Sequence, residues 1–227
     1  MTHEAIRPGR TTWLTDPGIP FSRNVPLHTI IGLFILFWVY MAISPTSRMQ
    51  WLVSQSILIA VILALGFTYR WFRFSNLSYL LMFLFFCLHT YASHYTYEGT
   101  PFDLWLKSSF HTTRSYYDRV VHFAFGLLLV YPFRELLTRI ANQHGFWPYA
   151  IPVAIVLSLS AGFEIIEMLG ALVYGPGGEE KFVGMQGDVY DTQKDMMLGF
   201  LGGLVATGIT AWAEWSKEKK LELASGQ

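Results

Sequence analysis

The chain has 227 residues, of which 52% are hydrophobic and only 14% charged, where a soluble domain carries about 25% charged residues. Its 16 basic and 16 acidic residues cancel, so no bulk charge draws it to nucleic acid, and long apolar stretches between short charged ones describe a chain whose solvent is mostly lipid. The single cysteine, Cys87, excludes an internal disulfide and a cysteine-based metal site; inside an apolar run it reads as a small buried hydrophobe.

Residues 1–26 are polar and carry Arg7, Arg10 and Arg23. They lack the apolar core and small-residue cleavage site of a secretory signal peptide, so they are expected to form a cytoplasmic segment, with targeting left to the first membrane helix. A hydrocarbon core about 30 Å thick asks for roughly 20 apolar residues in a helix. Leu27–Ile43, Trp51–Phe67 and Leu77–Ser93 each meet that demand, the first ending at Ser44-Pro45, the second before Arg70, Trp71 and Arg73. The stretch Tyr95–Tyr117 is long and rich in aromatic residues. A structureless loop of that length is unusual, and the pattern predicts an interfacial or re-entrant helix around Phe102–Phe110 between the third and fourth spans.

The fourth run, Val120–Phe133, has only 14 residues, and it reaches full length when Asp118 and Arg134-Glu135 are included, with His122 inside. Ala150–Val173 is the fifth, interrupted by Glu164 and Glu167, with Pro152 expected in its first turn, where a missing N–H costs little. Met196–Ala213 is the sixth, opening after Asp195 and closing near Trp212 and Trp215 at an expected interface. Its Gly199-x-x-x-Gly203 spacing, with Gly202, suits close helix packing within the bundle. Glu214–Leu223 is a charged, solvated helix end in a cytoplasmic tail spanning 214–227. The fold class is therefore all-α: a polytopic bundle of about six transmembrane helices over residues 27–213, without internal repeats.

With a cytoplasmic N-terminus, ten Lys and Arg fall inside and six outside, so the positive-inside rule places both termini in the cytoplasm of a bacterial inner membrane. Alternating helix direction then brings the ionisable residues to one level near the outer leaflet. His89 and His94 close the third span, Asp118, Arg119 and His122 open the fourth, Glu164 and Glu167 lie late in the fifth, and Asp188, Asp191 and Asp195 precede or open the sixth. Asp118/His122 and Asp191/Asp195 are four apart and Glu164/Glu167 three apart, so each pair shares one helix face. Charges in hydrocarbon cost about 2.5 kcal/mol or more and turn towards the bundle interior. Such a cluster can bind a divalent cation or perform general acid–base chemistry. Equally, Arg119 and Lys194 can neutralise neighbouring acids in a network that only pins helices together. His28 and His144 read as ordinary interfacial histidines, His111 as a loop residue, and no soluble catalytic motif is present.

Three segments resemble the YjdF-like family of bacterial inner-membrane proteins: His89–Tyr97 (HTYASHYTY), Tyr117–Glu135 (YDRVVHFAFGLLLVYPFRE) and Gly184–Met196 (GMQGDVYDTQKDM), with Glu164 and Glu167 between the last two. The resemblance covers roughly Ser75–Gly203; the family's usual tryptophan before the last Asp-Thr-Gln is Tyr190 here. It implies a multi-pass inner-membrane protein and carries no assigned reaction. A wider similarity to VanZ-like membrane proteins rests on Asp118-Arg119-Val120-Val121-His122-Phe123, Glu164/Glu167 and the segment Asp188–Gly203. That family is associated with resistance to a glycopeptide antibiotic, which implies envelope chemistry on lipids or cell-wall intermediates. His89 and His94 are additions to its pattern.

Three functions stay open at this point. The first is an enzyme acting on a lipid or lipid-linked envelope substrate, with His122, Asp191, Asp195 and Glu164 catalytic, and Arg119, Asp118, Gln193, Glu167 and His94 contacting substrate. Its cofactor would be a divalent metal ion on His89, His94, His122, Asp191 and Asp195. The second is a small transporter or proton relay, and the third a structural scaffold pinned by its polar network.

Overall fold

Each of the first four helices begins at a side chain that accepts a hydrogen bond from the backbone N–H three residues on, satisfying a donor the helix leaves open. Asn24 caps α1 (Val25–Met41), Ser47 caps α2 (Arg48–Thr68), Ser75 caps α3 (Asn76–His94) and Thr100 caps α4 (Pro101–Phe110). Helices α5 (Tyr117–Arg139), α6 (Trp147–Tyr174) and α7 (Asp191–Ser225) complete the chain, and there is no strand among the described residues. This computed structural model describes residues 13–179, 183–184 and 186–225; Arg7, Arg10, Glu180, Lys181 and Met185 lie outside them.

Five helices, α2, α3, α5, α6 and α7, are long and apolar enough to cross a membrane. With 17 residues, α1 rises about 26 Å, close to the thickness of a hydrocarbon core. Leu36, Leu63, Leu172 and Ile209 stay mostly exposed, as side chains do when lipid is their solvent. The expected helix between the third and fourth spans is α4, which exposes Leu104, Trp105 and Phe110.

Two boundaries differ from the hydropathy reading. Pro152 does not lie in a first turn: α6 already starts at Trp147 with Pro148 in its opening turn, and Pro152 sits in the helix interior. Apolar counting missed the aromatic turn that precedes the continuous apolar run. The charged stretch Glu214–Leu223 continues α7 without a break, so the passage from lipid-facing to charged residues changes the solvent and leaves the backbone unchanged.

Helix α5 is the centre of the bundle, packed on α3, α6 and α7, while α1 and α2 attach through α3. Glycines permit the closest of these contacts. A Cβ on Gly126 would overlap the Gly199 carbonyl, and one on Gly202 would overlap the Phe123 carbonyl. The expected packing role of the α7 glycines is therefore met within the chain, against α5. Mid-bundle, Val130, Val153, Val156 and Ala206 form a buried apolar layer, backed by Phe125, Leu127 and Phe200.

Buried polar ties close both ends. At the end holding both described termini, the Glu135 carboxylate accepts from Ser75 N (2.8 Å), Ser75 Oγ (2.8 Å), Ser78 Oγ (2.5 Å) and Arg139 Nη1 (2.5 Å), joining the start of α3 to the end of α5. At the other end, fully buried Asp103 of α4 accepts from Thr100 Oγ1 (2.7 Å) and from the backbone N–H groups of Tyr116 (2.6 Å) and Tyr117 (3.2 Å). It thus caps α5 from another helix. Asp103→Ala strands these donors and should destabilise the protein by about 2–4 kcal/mol, read as a lower Tm of the detergent-solubilised chain.

Candidate functional site

The antiparallel order of the helices carries the C-terminal ends of α1, α3 and α6 and the N-terminal ends of α2, α5 and α7 to one end of the bundle. Acids and imidazoles gather there in two parts that differ in how their charges are met.

The first part is paired. Arg114 reaches Asp188 (3.3 Å) and Asp191. Arg119 reaches the same two carboxylates at 2.8 and 3.2 Å, and Lys194 Nζ lies 2.6 Å from Asp188. Asp191 is only 2% exposed. The arrangement ties the opening of α5 and the loop before it to the opening of α7. Arg119 and Asp191, both candidates for the chemistry, are thereby partners of one another, and Arg119 does not stand as an unclaimed cation for an anionic head group.

Asp188, in the loop before α7, shows the electrostatic consequence. The hydrogen bond from Lys194, with those of the Tyr190 N–H and Arg119, holds its carboxyl well below the usual aspartate range. Its stabilising contribution is complete above the ordinary value of about 4 and is lost as pH falls from there towards the lower folded value. Asp188→Asn should therefore lose less Tm than the wild type between about pH 5 and about pH 3.

In the second part no Lys or Arg among the described residues donates a hydrogen bond to the acids, which face an imidazole instead. His122 is buried, with Nε2 3.4 Å from Glu164 Oε1 and 3.7 Å from Asp118 Oδ1. Asp195 is buried beside them, its Oδ1 4.0 Å from Arg119 Nε. Among the described residues, Asp118 Oδ1, Glu164 Oε1 and Asp195 Oδ1 have no hydrogen-bond partner. Buried carboxylate oxygens are seldom left so.

Two hollows flank this second part. A cavity of about 180 Å³ takes its polar wall from Tyr97, Arg114, Asp118, Arg119 and Glu167, and its apolar wall from Val53, Ile57, Phe163 and Ile166. A groove of about 820 Å³ runs between α6 and α7, with Glu164, Asp191, Thr192 and Gln193 on its polar side and Ile165, Met168, Leu172 and Met196 on its apolar side. His122 thus joins a carboxylate that lines the cavity, Asp118, to one that lines the groove, Glu164.

Tyr97 and Arg114 are site residues that sequence reasoning did not single out. Thr96 and Tyr97 both adopt left-handed backbone, with φ of 58° and 64°, which side chains other than glycine seldom do. This turn brings the Tyr97 hydroxyl to 2.6 Å from His89 Nδ1, while His89 Nε2 faces the Ser54 carbonyl at 3.4 Å. The carbonyl fixes the imidazole proton on Nε2, so the phenol donates to Nδ1. Burial holds the Tyr97 phenol well above its usual pKa, and it stays neutral.

His94 instead turns to α1, where its Nδ1 donates to the Met41 carbonyl at 2.8 Å. Gln193 is exposed on the groove. The five histidines and aspartates read from the sequence as a metal-ligand set are thus divided between different neighbours. Among the described residues, no group of three or more His, Cys, Asp or Glu side chains is placed to hold a metal ion.

A family profile described as predicted membrane protein (DUF2238) matches residues 26–215. The chain belongs to the DUF2238 family. It is also 31% identical over 201 residues to the inner membrane protein YjdF of Escherichia coli (strain K12), an alignment covering 88% of this chain and 96% of that protein. No solved structure matches it. As a DUF2238 protein it is an integral, multi-pass membrane protein, and the YjdF-like resemblance of its three segments holds along nearly the whole chain. Those segments supply Tyr97 and His89, then Asp118, Arg119 and His122, then Asp188, Asp191, Lys194 and Asp195. Arg114, outside them in an aromatic loop, carries no periodic signal by which a sequence reading would find it.

Proposed function

We propose that this DUF2238 protein is a membrane-embedded enzyme that performs general acid–base chemistry on a lipid or lipid-linked envelope substrate, at the outer leaflet of the bacterial inner membrane. The observation that carries the proposal is His122 held between Asp118 and Glu164, whose facing oxygens have no hydrogen-bond partner among the described residues. A buried imidazole takes a proton from a hydroxyl or water, and an adjacent carboxylate steadies the imidazolium that results. Glu164 and Asp118 are the acids nearest that imidazole and able to exchange its proton, with Asp195 farther off; Asp191, claimed by two guanidinium groups, holds the architecture.

The groove supports an amphiphilic substrate. It offers apolar wall to a chain and polar wall to a head group, and it leads to Glu164 from the lipid-facing side of α6. Orientation rests on charge: Arg70, Arg73, Arg134, Arg139 and, at the far end of α7, Lys217, Lys219 and Lys220 gather at the opposite end, which the positive-inside rule assigns to the cytoplasm. The inner-membrane name of the Escherichia coli relative supports the choice of membrane. A transporter or proton relay would need polar groups through the middle of the bundle, where Val130, Val153, Val156 and Ala206 pack instead; this layer favours a one-sided site.

In a strain lacking the gene, His122→Gln and Glu164→Gln chains present at wild-type abundance should fail to restore the wild-type behaviour. Full rescue by both would refute the acid–base assignment, and a loss explained by reduced abundance would support the scaffold reading.

A further inference from the structure

The charges around His122 say what kind of head group the site accepts. Arg114, Arg119 and Lys194 are committed to Asp188 and Asp191. No Lys or Arg among the described residues donates a hydrogen bond to Asp118, Glu164 or Asp195; the nearest approach is Arg119 Nε, 4.0 Å from Asp195. Glu164 is 5% exposed and lines the α6–α7 groove, yet its Oε1 lacks a hydrogen-bond partner. No Lys or Arg among the described residues lines that groove. On the cavity side, the Tyr97 hydroxyl spends its proton on His89 and has only acceptor capacity left for a ligand.

On the groove side, where no Lys or Arg stands among the described residues, carboxylate oxygens disfavour a purely anionic head group and attract a donor. A primary ammonium carries three N–H donors and no acceptor, and its hydrogen bonds to carboxylates are among the stronger ones proteins make. We propose that the ligand of this site is an amphiphile bearing a primary amine, whose chain lies against Ile165, Met168 and Leu172 in the groove and whose ammonium is received by Glu164, with Asp118 and Asp195 beyond. The proposal rests on the acid–base reading of His122 for its chemistry, but the recognition it describes is separately measurable.

The test is thermal unfolding of the detergent-purified full chain with four probes: short-chain phosphatidylethanolamine, short-chain phosphatidylglycerol, ethanolamine alone and octyl phosphate. Phosphatidylethanolamine should raise Tm by several degrees, while phosphatidylglycerol and octyl phosphate leave it unchanged. Glu164→Gln should abolish the shift. Met168→Trp, at a lipid-facing position that narrows the groove without touching the carboxylates, should abolish it too, which keeps the test decisive if Glu164→Gln folds poorly. A shift with octyl phosphate or phosphatidylglycerol, or no shift with phosphatidylethanolamine, would overturn the proposal; an equal shift with ethanolamine alone would overturn its amphiphile. If His122→Gln loses function and the wild type binds no amine, this inference fails and the acid–base reading stands. Amine binding by a chain whose His122 is dispensable means the reverse.

Discussion

Asp191→Ala is expected to destabilise the protein more than any other single substitution in the polar cluster. The Asp191 carboxylate is 2% exposed and receives both Arg114 and Arg119. Removing it takes from both guanidinium groups their most buried carboxylate and leaves them crowded on Asp188, which Lys194 also claims. Breaking a buried ion pair from one side costs about 3–5 kcal/mol, because the surviving charge is left uncompensated. The fall should be seen in Tm and in membrane abundance. Asp195→Asn, at an equally buried acid with no hydrogen bond to any cation, should leave both nearly unchanged. The contrast separates the part of the cluster bonded to Arg and Lys from the part that is not, without reference to any activity.

A single methyl group at Gly126 is expected to have an effect of similar size. In Gly126→Ala the new Cβ would overlap the carbonyl of Gly199 and crowd the backbone nitrogen of Gly203. The obstacle is backbone on backbone, so no side chain can rotate to relieve it, and α5 and α7 must separate along their contact. Overpacking that rotamers can relieve costs about 1–3 kcal/mol; here the loss should exceed about 3 kcal/mol, since the widest helix contact of the bundle opens. Gly32→Ala is the matched control. Its Cβ would meet nothing within 4 Å, and alanine in a helix interior is favoured over glycine by about 1 kcal/mol, so that variant should be neutral or slightly more stable.

These two positions also mark how far the sequence could be read. Hydropathy located the six apolar helices, five of them long enough to cross a membrane, because lipid demands long apolar runs whatever their partners, and the alternation of helix direction then placed His122, Glu164 and Asp195 at one level. The α7 glycines were legible as a packing surface, but their counterpart Gly126 was not, because hydropathy records composition along a helix and not its rotation against a neighbour. The division of acids into those bonded to Arg or Lys and those that are not was hidden for a related reason: it depends on Arg114, which reaches Asp191 from a loop without periodicity. The Glu135 tie joins residues 60 apart in sequence, a distance over which no local pattern speaks. Tyr97 enters the site through two consecutive left-handed residues, a backbone path that Thr96 and Tyr97 do not advertise by residue type.

The central claim, that His122 is the acid–base centre for a lipid or lipid-linked substrate, is tested most directly by mass spectrometry of envelope lipids. Cells lacking the gene would be compared with cells carrying wild-type or His122→Gln chains at matched abundance. The account predicts at least one lipid or lipid-linked species whose level changes with the wild type and stays at the deletion level with His122→Gln. Identical lipid profiles in all three, or a wild-type profile restored in full by His122→Gln, would contradict it.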